Sequence, residues 1–254
     1  MFSRNNFTKN LSTEKFGSTI HYMVVTDSTN DEAWKLVEEN RFTEGTIVVT
    51  DKQSLGRGRQ NRKWFATPNL HLPFSIIFTP EIPSEKLGLL SLLAGVSIAE
   101  GLQKITNVKF TLKWPNDILY NNRKIGGVLI ETRKVYNKLL AVIGIGINVN
   151  ELLDDFPVEI RDTTTSLKII TNIEYSREQI LVSIMGKIES NYYFELDNIF
   201  NKWVELCGHI NQPTQFHLKD KTITGDFLGI NNLGHARMKI NNGEKIFSSG
   251  ELIL

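Results

Sequence analysis

Short apolar runs alternate with longer segments of helical period through most of the chain. Runs rich in β-branched residues, or alternating between apolar and polar positions, predict strands; these lie at 18–25, 46–51, 70–78, 108–112, 118–120, 124–131 and 139–150. Apolar residues three or four positions apart predict helices; these lie at 29–40, at 84–105 and from 176 to beyond 188. The main part of the chain is therefore expected to combine a sheet with several helices.

The two ends of the chain depart from this pattern. Residues 1–17 are polar and show no period, which predicts a tail or a short lead-in. From about residue 213, short alternating pieces are separated by Asn and Gly, and Asn241-Asn242-Gly243 is typical of a hairpin turn. We therefore predict an N-terminal tail (1–17), a large domain (18–210) and a small C-terminal β domain (211–254).

The stretch after the strand at 46–51 is rich in glycine and positive charge. Residues 53–64, here named the Gly/Arg loop, contain Gly56 and Gly58, which can adopt positive φ and let the main chain approach a ligand closely. The loop also carries four cations suited to carboxylate and phosphate groups; they are Arg57, Arg59, Arg62 and Lys63. Because open α/β sheets hold ligands at strand ends, we expect an anion-binding loop. Trp64 would anchor its far end.

Composition narrows the class of protein. The 254 residues are 41% hydrophobic and 22% charged, which is ordinary for one large globular domain with or without a small appendage. A net charge of +1 argues against a general nucleic-acid-coating role. Cys207 is the only cysteine, which excludes an internal disulfide and a Cys-rich zinc site and favours a reduced, cytoplasmic location. We find no signal peptide, no apolar run long enough to span a bilayer and no metal-ligand spacing of histidines.

Two polar segments lie at the ends of predicted elements, and each has a structural explanation. Ser28 and Thr29 are each followed three residues later by an acid, which favours a capping box at the start of the helix. The bend Lys113-Trp114-Pro115-Asn116-Asp117 is either a plain turn or a rigid group of polar side chains at a strand end.

Two glycine pairs lie inside predicted strands, where glycine is unusual. Gly126-Gly127 weakens its strand unless a bulge or another group approaches there. Gly144 and Gly146 share one strand face with Asn148. That face is suited either to a flat ligand or to tight packing under a helix.

Four motifs, in their order along the chain, resemble the successive signatures of biotin–protein ligases. They are Gly-Arg-Gly-Arg-x-x-Arg-x-Trp at 56–64, Lys-Trp-Pro-Asn-Asp at 113–117, Lys-Ile-Gly-Gly-Val-Leu-Ile-Glu at 124–131 and Gly-Ile-Gly-Ile-Asn at 144–148. Asp-Ser-Thr-Asn at 27–30 is similar to the family's first biotin-loop motif. The resemblance covers about residues 18–254. It implies an α+β fold with a mixed β-sheet packed with helices, as in class II synthetases, plus a small C-terminal SH3-like β-barrel domain.

The resemblance implies a two-step ligase reaction. Biotin and MgATP give biotinyl-5′-adenylate and pyrophosphate, so biotin, ATP and Mg²⁺ are the expected small molecules. The amine of one lysine on a biotin carboxyl carrier domain of a carboxylase then attacks the mixed anhydride. Cations must offset the repulsion between carboxylate and α-phosphate. No strong general base is needed at the first step, because a carboxylate is already ionised at about pH 7.

The resemblance also implies roles for individual residues. Lys124 and Arg57 are the expected catalytic cations, with Lys113 as the alternative to Lys124. The expected ligand-binding residues are Ser28, Thr29, Asn30, Gln53, Gly56, Arg57, Gly58, Arg59, Trp64, Lys113, Asn116, Lys124, Gly126, Gly127, Gly144, Gly146 and Asn148. Asn116 and Asp117 are expected near the nucleotide and its Mg²⁺. The Gly/Arg loop is expected to order over the adenylate and exclude water.

Partners and rival functions follow from the same resemblance. Bifunctional relatives carry an N-terminal DNA-binding domain of about 60 residues. Only about 17 residues precede the first predicted strand here, so we expect no DNA binding. Because we find no apolar run long enough to span a bilayer, we expect no membrane binding either. A monomer and a homodimer both stay open. Three rival functions remain: a lipoate–protein ligase, which the Gly/Arg loop disfavours; a non-enzymatic biotin sensor, which the missing DNA-binding domain disfavours; and an Arg/Gly nucleic-acid binder, whose segments are usually repetitive and disordered.

Overall fold

A computed structural model describes residues 1–135, 137–218, 221–241 and 243–253, with the backbone alone at residue 61. The helices are α1 (Arg4–Asn10), α2 (Thr29–Glu38), α3 (Leu89–Thr106), α4 (Leu167–Thr171), α5 (Arg177–Phe194) and α6 (Ile199–Leu206). The strands are β1 (Ile20–Thr26), β2 (Thr46–Gln53), β3 (His71–Phe78), β4 (Thr111–Lys113), β5 (Asp117–Tyr120), β6 (Arg123–Val135), β7 (Lys138–Asn148), β8 (Gln212–Leu218), β9 (Lys221–Ile230), β10 (Ala236–Ile240), β11 (Gly243–Phe247) and β12 (Glu251–Ile253). The predicted helices and strands are present, with bounds shifted by a few residues.

In the described part of the chain, seven strands form the main sheet in the order β1-β2-β3-β7-β6-β5-β4. β1 runs parallel to β2, and the other neighbouring strands are antiparallel. The expected mixed sheet is therefore confirmed. Every residue of β3 is buried. Its largely apolar sequence follows from its central place in a sheet that has helices on both faces.

Helix α2 covers one face of the main sheet, and α3 with α5 covers the other. Trp34 of α2 packs in one core cluster with Val48 of β2 and Val142 of β7. The flanking residues Ile47 and Val49 belong to the larger cluster that contains the buried faces of α3 and α5. This division follows from strand geometry, because successive side chains point to opposite faces.

Helix α3 is a core helix, although its sequence could suggest a membrane span. By length and composition alone it could cross a bilayer, so the expectation that no apolar run reaches that length is wrong. However, 67% of its apolar window is buried inside the fold. It packs so closely on α5 that a Cβ added at Gly101 would lie 3.0 Å from Cγ1 of Ile184.

The N-terminal segment is an integral part of the fold. Residues 4–10 form α1, and Phe2, Phe7 and Phe16 are each at most 4% exposed. Glu189 of α5 accepts the backbone N–H groups of residues 14–16 at 2.7–2.9 Å. The prediction of a polar tail over residues 1–17 is therefore wrong. Its three buried aromatic residues are too widely spaced to show a period.

The C-terminal residues form a separate antiparallel sheet, as expected for a small β domain. Over the described residues its strand order is β11-β10-β9-β8-β12. Ile240 pairs with Gly243, so the predicted hairpin joins β10 to β11, although Asn242 in its turn lies outside the described residues. The sheet begins at Gln212, beside the domain boundary predicted after residue 210.

Trp114 connects the C-terminal sheet to the main domain. Its indole stacks on Phe216 of β8 with ring centroids 5.7 Å apart. Its Nε1–H donates to the carbonyl oxygen of Gly234 at 2.9 Å. The aromatic residue of the predicted bend at 113–117 is therefore an interdomain anchor, and the polar residues beside it are held at the edge of the main sheet.

Candidate active site

A pocket lies on the α2 face of the main sheet, where the N-terminus of α2 meets the central strands. The Gly/Arg loop and the start of β12 also contribute to its wall. The lining residues are Ser28, Thr29, Asn30, Gln53, Arg57, Gly58, Arg59, Gln60, Arg62, Lys63, Trp64, Asn116, Asp117, Lys124, Gly127, Val128, Leu129, Gly144, Ile145, Gly146, Gly250 and Glu251. Segments far apart in sequence thus converge on one site.

The first turn of α2 finds its hydrogen-bond acceptor on β2 and not in the side chain of its N-cap residue. Ser28 occupies the N-cap position, but its hydroxyl makes no capping hydrogen bond. The backbone N–H and the hydroxyl of Thr29 both donate to Oε1 of Gln53, at 2.8 and 3.1 Å. The predicted capping box is therefore wrong. Gln53 takes over one of the backbone donors that a helix start leaves unpaired.

Asn30 forms a polar part of the pocket floor. The hydroxyl of Ser75 on β3 lies 2.6 Å from Asn30 Oδ1, which orients the amide. A Cβ on Gly144 would collide with this amide, so glycine makes the approach possible. Asn30 Nδ2 is buried and has no hydrogen-bond partner among the described residues. Because an unpaired buried donor is costly, this amide is well placed to donate to a ligand.

Trp64 covers the neighbouring part of the floor. A Cβ on Gly146 would lie 2.5 Å from Cε2 of the indole, and one on Gly127 would lie 3.4 Å from Cζ3. The indole Nε1 is also buried, and the described part of the chain offers it no partner. The predicted glycine face therefore receives two side chains of this protein, Asn30 and Trp64, and both present an N–H donor in the pocket.

Asp117 binds two lysines at the base of the pocket. Its Oδ1 lies 2.5 Å from Nζ of Lys124, and its Oδ2 lies 3.2 Å from Nζ of Lys113. Burial raises the pKa of this carboxyl, but the two ammonium groups outweigh burial and hold the pKa below its ordinary value. Lys124 lines the pocket and Lys113 does not. The structure therefore favours Lys124 as the cation that faces a ligand.

Three arginines of the Gly/Arg loop have different surroundings. Arg57 makes a bidentate ion pair with Asp31, and Arg62 makes one with Glu251 of β12. Arg59 lines the pocket and has no ion pair within the described residues. Burial lowers the pKa of its guanidinium, and the carboxylates of Glu251 and Asp117 offset this only in part.

The backbone of the loop differs from expectation. Neither Gly56 nor Gly58 adopts a positive φ, whereas Gln60 does, at 55°. The expected use of positive φ at these glycines is therefore wrong. Gly56 instead packs against the loop itself, because a Cβ there would lie 2.8 Å from the carbonyl oxygen of Trp64. Its close approach to a ligand stays a prediction.

Most predicted site residues line this one pocket. The exceptions are Gly56, Lys113, Gly126 and Asn148. Gly126 has the opposite orientation, since a Cβ there would approach Ile118 and Ile147. Asn148 is buried, and its Nδ2 donates to the carbonyl oxygen of Thr165 at 2.9 Å. The ligand roles assigned to all these residues stay predictions.

Other lining residues are absent from the predicted set. They are Gln60, Arg62, Lys63, Val128, Leu129, Ile145, Gly250 and Glu251. The charge of the loop motif already pointed to Arg62 and Lys63. Glu251 lies 189 positions after Arg62, and a single acid in a short strand gives no local signal for that contact. Ser75 was also missed, although a lone serine within an apolar strand is a usable signal.

The residues predicted near magnesium are already engaged. Asp117 is paired with two lysines, and Asn116 Nδ2 donates to the carbonyl oxygen of Val128 at 2.7 Å. No cluster of three or more His, Cys, Asp or Glu suited to a metal occurs in the described part of the chain. Because two ammonium groups repel a divalent cation, Asn116 and Asp117 do not form a magnesium site in this arrangement.

Comparison with known proteins agrees with this fold and pocket. Residues 22–148 match the Biotin/lipoate A/B protein ligase family. The chain is 34% identical to the bifunctional ligase/repressor BirA of Bacillus subtilis, over 94% of this chain and 75% of that protein. It is 27% identical to the biotin–[acetyl-CoA-carboxylase] ligase of Paracoccus denitrificans, over 89% of this chain and 97% of that protein.

A solved structure gives the same result. The biotin protein ligase of Aquifex aeolicus in complex with biotin and ATP superimposes with a TM-score of 0.78 at 31% identity, covering 92% of this chain and 97% of that chain. The family match covers half of the chain, and the structural match covers nearly all of it. The chain belongs to the biotin/lipoate A/B protein ligase family.

Proposed function

We propose that this protein is an ATP-dependent biotin–protein ligase. In the first step, a carboxylate oxygen of biotin attacks the α-phosphorus of ATP, and pyrophosphate leaves. In the second step, the amine of a carrier lysine attacks the carbonyl carbon of biotinyl-5′-adenylate. An amide bond forms, and AMP leaves with the electron pair of the broken C–O bond.

The polarity of the pocket carries the proposal. Its floor is largely neutral, with buried N–H donors on Asn30 and Trp64 beside glycine backbone. Its rim and base are cationic, with Arg57, Arg59 and Lys124 among the lining residues. A ligand with a neutral polar head and an anionic end matches this division, and biotin has a ureido head and a carboxylate tail.

The cations of the pocket suit the first step. Two anions must meet when a carboxylate attacks a phosphate, so fixed positive charge lowers the barrier. Asp117 keeps the ammonium of Lys124 in place before any ligand arrives, so little reorganisation is needed. Arg59 lines the pocket and makes no direct ion pair in the described region, so it is suited to bind the phosphate of the adenylate.

The relatives favour biotin over lipoate. The matched proteins named above are biotin ligases or bifunctional BirA proteins, and the Aquifex structure holds biotin and ATP. The Paracoccus relative is named for acetyl-CoA carboxylase, which supports a carboxylase carrier domain as the partner. A requirement for Mg²⁺, the absence of DNA and membrane binding, a monomeric or homodimeric state and a cytoplasmic location stay predictions.

Mass spectrometry of a carrier domain tests the proposal. The purified protein is incubated with biotin, MgATP and the biotin carboxyl carrier domain of an acetyl-CoA carboxylase. We expect the carrier to gain the mass of one biotinyl group, on one lysine, only when ATP and biotin are both present. A carrier whose acceptor lysine is changed to Arg is the control. An unmodified wild-type carrier would contradict the proposal.

A further inference from the structure

Asp31 makes a contact to the Gly/Arg loop from outside the pocket. Its carboxylate accepts two hydrogen bonds from Arg57, Nη1 to Oδ2 and Nη2 to Oδ1, each 2.5 Å long. Arg57 lines the pocket, whereas Asp31 does not. The ion pair therefore connects a residue that lines the pocket to one that lies outside it and has no predicted ligand role.

Asp31 belongs to a firmly held part of the fold. It lies in the first turn of α2, directly after Thr29 and Asn30, which are each 3% exposed. Those two residues are hydrogen-bonded to Gln53 of β2 and Ser75 of β3. A carboxylate in the first turn of a helix is also favoured by the helix dipole. Asp31 is thus a charged anchor with a fixed position.

The loop, by contrast, closes mainly on itself near Arg57. The N–H of Gly58 donates to the carbonyl oxygen of Arg62, and the N–H of Trp64 donates to that of Gly56. These bonds shape the loop, and its nearest backbone attachment to the main domain is the N–H of Leu55, which donates to the carbonyl oxygen of Asp27 at 2.9 Å. The pair with Asp31 adds a side-chain attachment at Arg57, two residues further along, where a glycine precedes and follows the arginine.

Arg57 can donate hydrogen bonds to a ligand while it stays paired with Asp31. A guanidinium has about five N–H donors in a planar fork, and the bidentate contact uses only one from each Nη. A second carboxylate, Glu131, lies 3.9 Å from Nη2 and receives the indole N–H of Trp34 at 2.7 Å. It is too distant for a hydrogen bond to Arg57, so Asp31 sets the position of the guanidinium.

We propose that Asp31 is a positioning residue that holds the Gly/Arg loop closed against α2 before any ligand binds. In the proposed ligase reaction, the same contact slows the escape of biotinyl-5′-adenylate. Asp31 acts through Arg57 and does not touch the reacting atoms. The second statement rests on the proposed function, and the first does not.

The size of the effect follows from the exposure of the pair. The side chains of Arg57 and Asp31 are 35% and 47% exposed, so solvent weakens their attraction. Bidentate geometry places the pair at the upper end of what exposed ion pairs contribute, which corresponds to about a fivefold change in the opening equilibrium of the loop. High salt should reduce this difference, because exposed charges are screened.

Limited proteolysis of the ligand-free protein tests the contact directly. Trypsin can cut the loop after Arg57, Arg59, Arg62 or Lys63. We expect Asp31→Asn to be cut in the loop about fivefold faster than wild type at low salt. The matched control is Glu38→Gln, which removes a carboxylate from the other end of α2, where it pairs with Arg133 at 3.4 Å. Equal cleavage of Asp31→Asn and Glu38→Gln would overturn the proposal.

A charge exchange separates this contact from general damage to α2. Asp31→Arg alone should open the loop to subtilisin, whose cleavage does not depend on Arg or Lys. The double variant Asp31→Arg/Arg57→Asp should return to within about twofold of wild type, because the ion pair is restored with its signs reversed. A double variant as susceptible as Asp31→Arg contradicts the proposal.

Retention of the adenylate tests the second statement. Enzyme-bound biotinyl-5′-adenylate should dissociate about fivefold faster from Asp31→Asn than from Glu38→Gln, at an unchanged melting temperature. Equal dissociation rates would overturn the link to retention. If the wild-type protein formed no adenylate, the proposed function itself would fail, and the cleavage experiments would still decide the role of Asp31.

Discussion

The ammonium group of Lys124 lies 2.5 Å from Oδ1 of Asp117, and this contact fixes a positive charge at the base of the pocket. Lys113 lies on the other carboxylate oxygen, at 3.2 Å, but outside the pocket lining. The two lysines share one buried anion and differ in their access to a ligand. They therefore form a matched pair for separating a catalytic charge from a structural one.

Changing each lysine to Ala should give unequal results. Lys124→Ala should slow adenylate formation about 100- to 1,000-fold, because it removes a preorganised charge from the reacting centre. The slowing of adenylate formation in Lys113→Ala should be smaller by a factor of at least about ten. Both variants leave Asp117 with one lysine, so their losses of stability should be similar. Single-turnover adenylation and thermal unfolding measure the two quantities, and equal adenylation rates would remove Lys124 from the mechanism.

The contact between Gly146 and Trp64 predicts a steric effect. In Gly146→Ala the new Cβ would lie 2.5 Å from the indole, so the ring must leave its place on the pocket floor. We expect biotin affinity to fall at least about tenfold and stability to fall by about 1–3 kcal/mol. Isothermal titration and chemical unfolding measure both.

A second glycine provides the control for that substitution. Gly186 lies in α5, and a Cβ there would meet no atom of the described residues within 4 Å. Gly186→Ala should stabilise the protein by up to about 1 kcal/mol, because Ala favours a helix more than Gly does. Biotin affinity should not change. Unaltered affinity in Gly146→Ala would mean that the position of the Trp64 ring is unimportant for the ligand.

The pair between Arg62 and Glu251 joins the Gly/Arg loop to the C-terminal domain. Glu251→Gln should raise KM for ATP and speed adenylate release, because the charge that holds Arg62 at the pocket is lost. Its effect on unfolding should stay at or below about 1 kcal/mol, because the Arg62 side chain of the pair is 58% exposed. Glu244→Gln is the control, since it breaks a pair with Arg237 in the same domain but outside the pocket. Identical kinetics in both variants would contradict this coupling.

Glu151 makes stability depend on pH. It is fully buried, and burial raises the pKa of its carboxyl to about 7. Its folded pKa lies above the unfolded value, so its contribution to stability is complete below about pH 4.5 and is lost as pH rises through about 7. Between these limits the unfolding free energy of the wild type should fall by on the order of 3 kcal/mol, whereas that of Glu151→Gln should not. Parallel pH profiles of unfolding free energy for the two proteins would refute this.

The strands and core helices were predictable because their signals are local. A few consecutive residues are enough to predict burial in the runs of β2 and β3 and in the apolar spacing of α3. The N-terminal segment was not predictable in this way. Phe2, Phe7 and Phe16 show no period, and their burial depends on contacts with β1, β3 and α5.

The site was predictable as a set of motifs and not as a set of contacts. Motif residues such as Lys124 and Arg59 do line one pocket. However, the partners that fix their neighbours come from distant segments, as with Glu251 for Arg62 and Ser75 for Asn30. Ser28 was assigned to a cap on local grounds, and the tertiary contact of Gln53 replaced that cap.

Biotin-dependent exchange of labelled pyrophosphate into ATP tests the central claim most directly. It reports the first step alone and needs neither a carrier nor a correct docking surface. With biotin, the wild-type protein should catalyse exchange, and with lipoate at the same concentration it should not. Exchange supported by lipoate as well as by biotin, or none with biotin, would contradict the proposal that this pocket activates biotin.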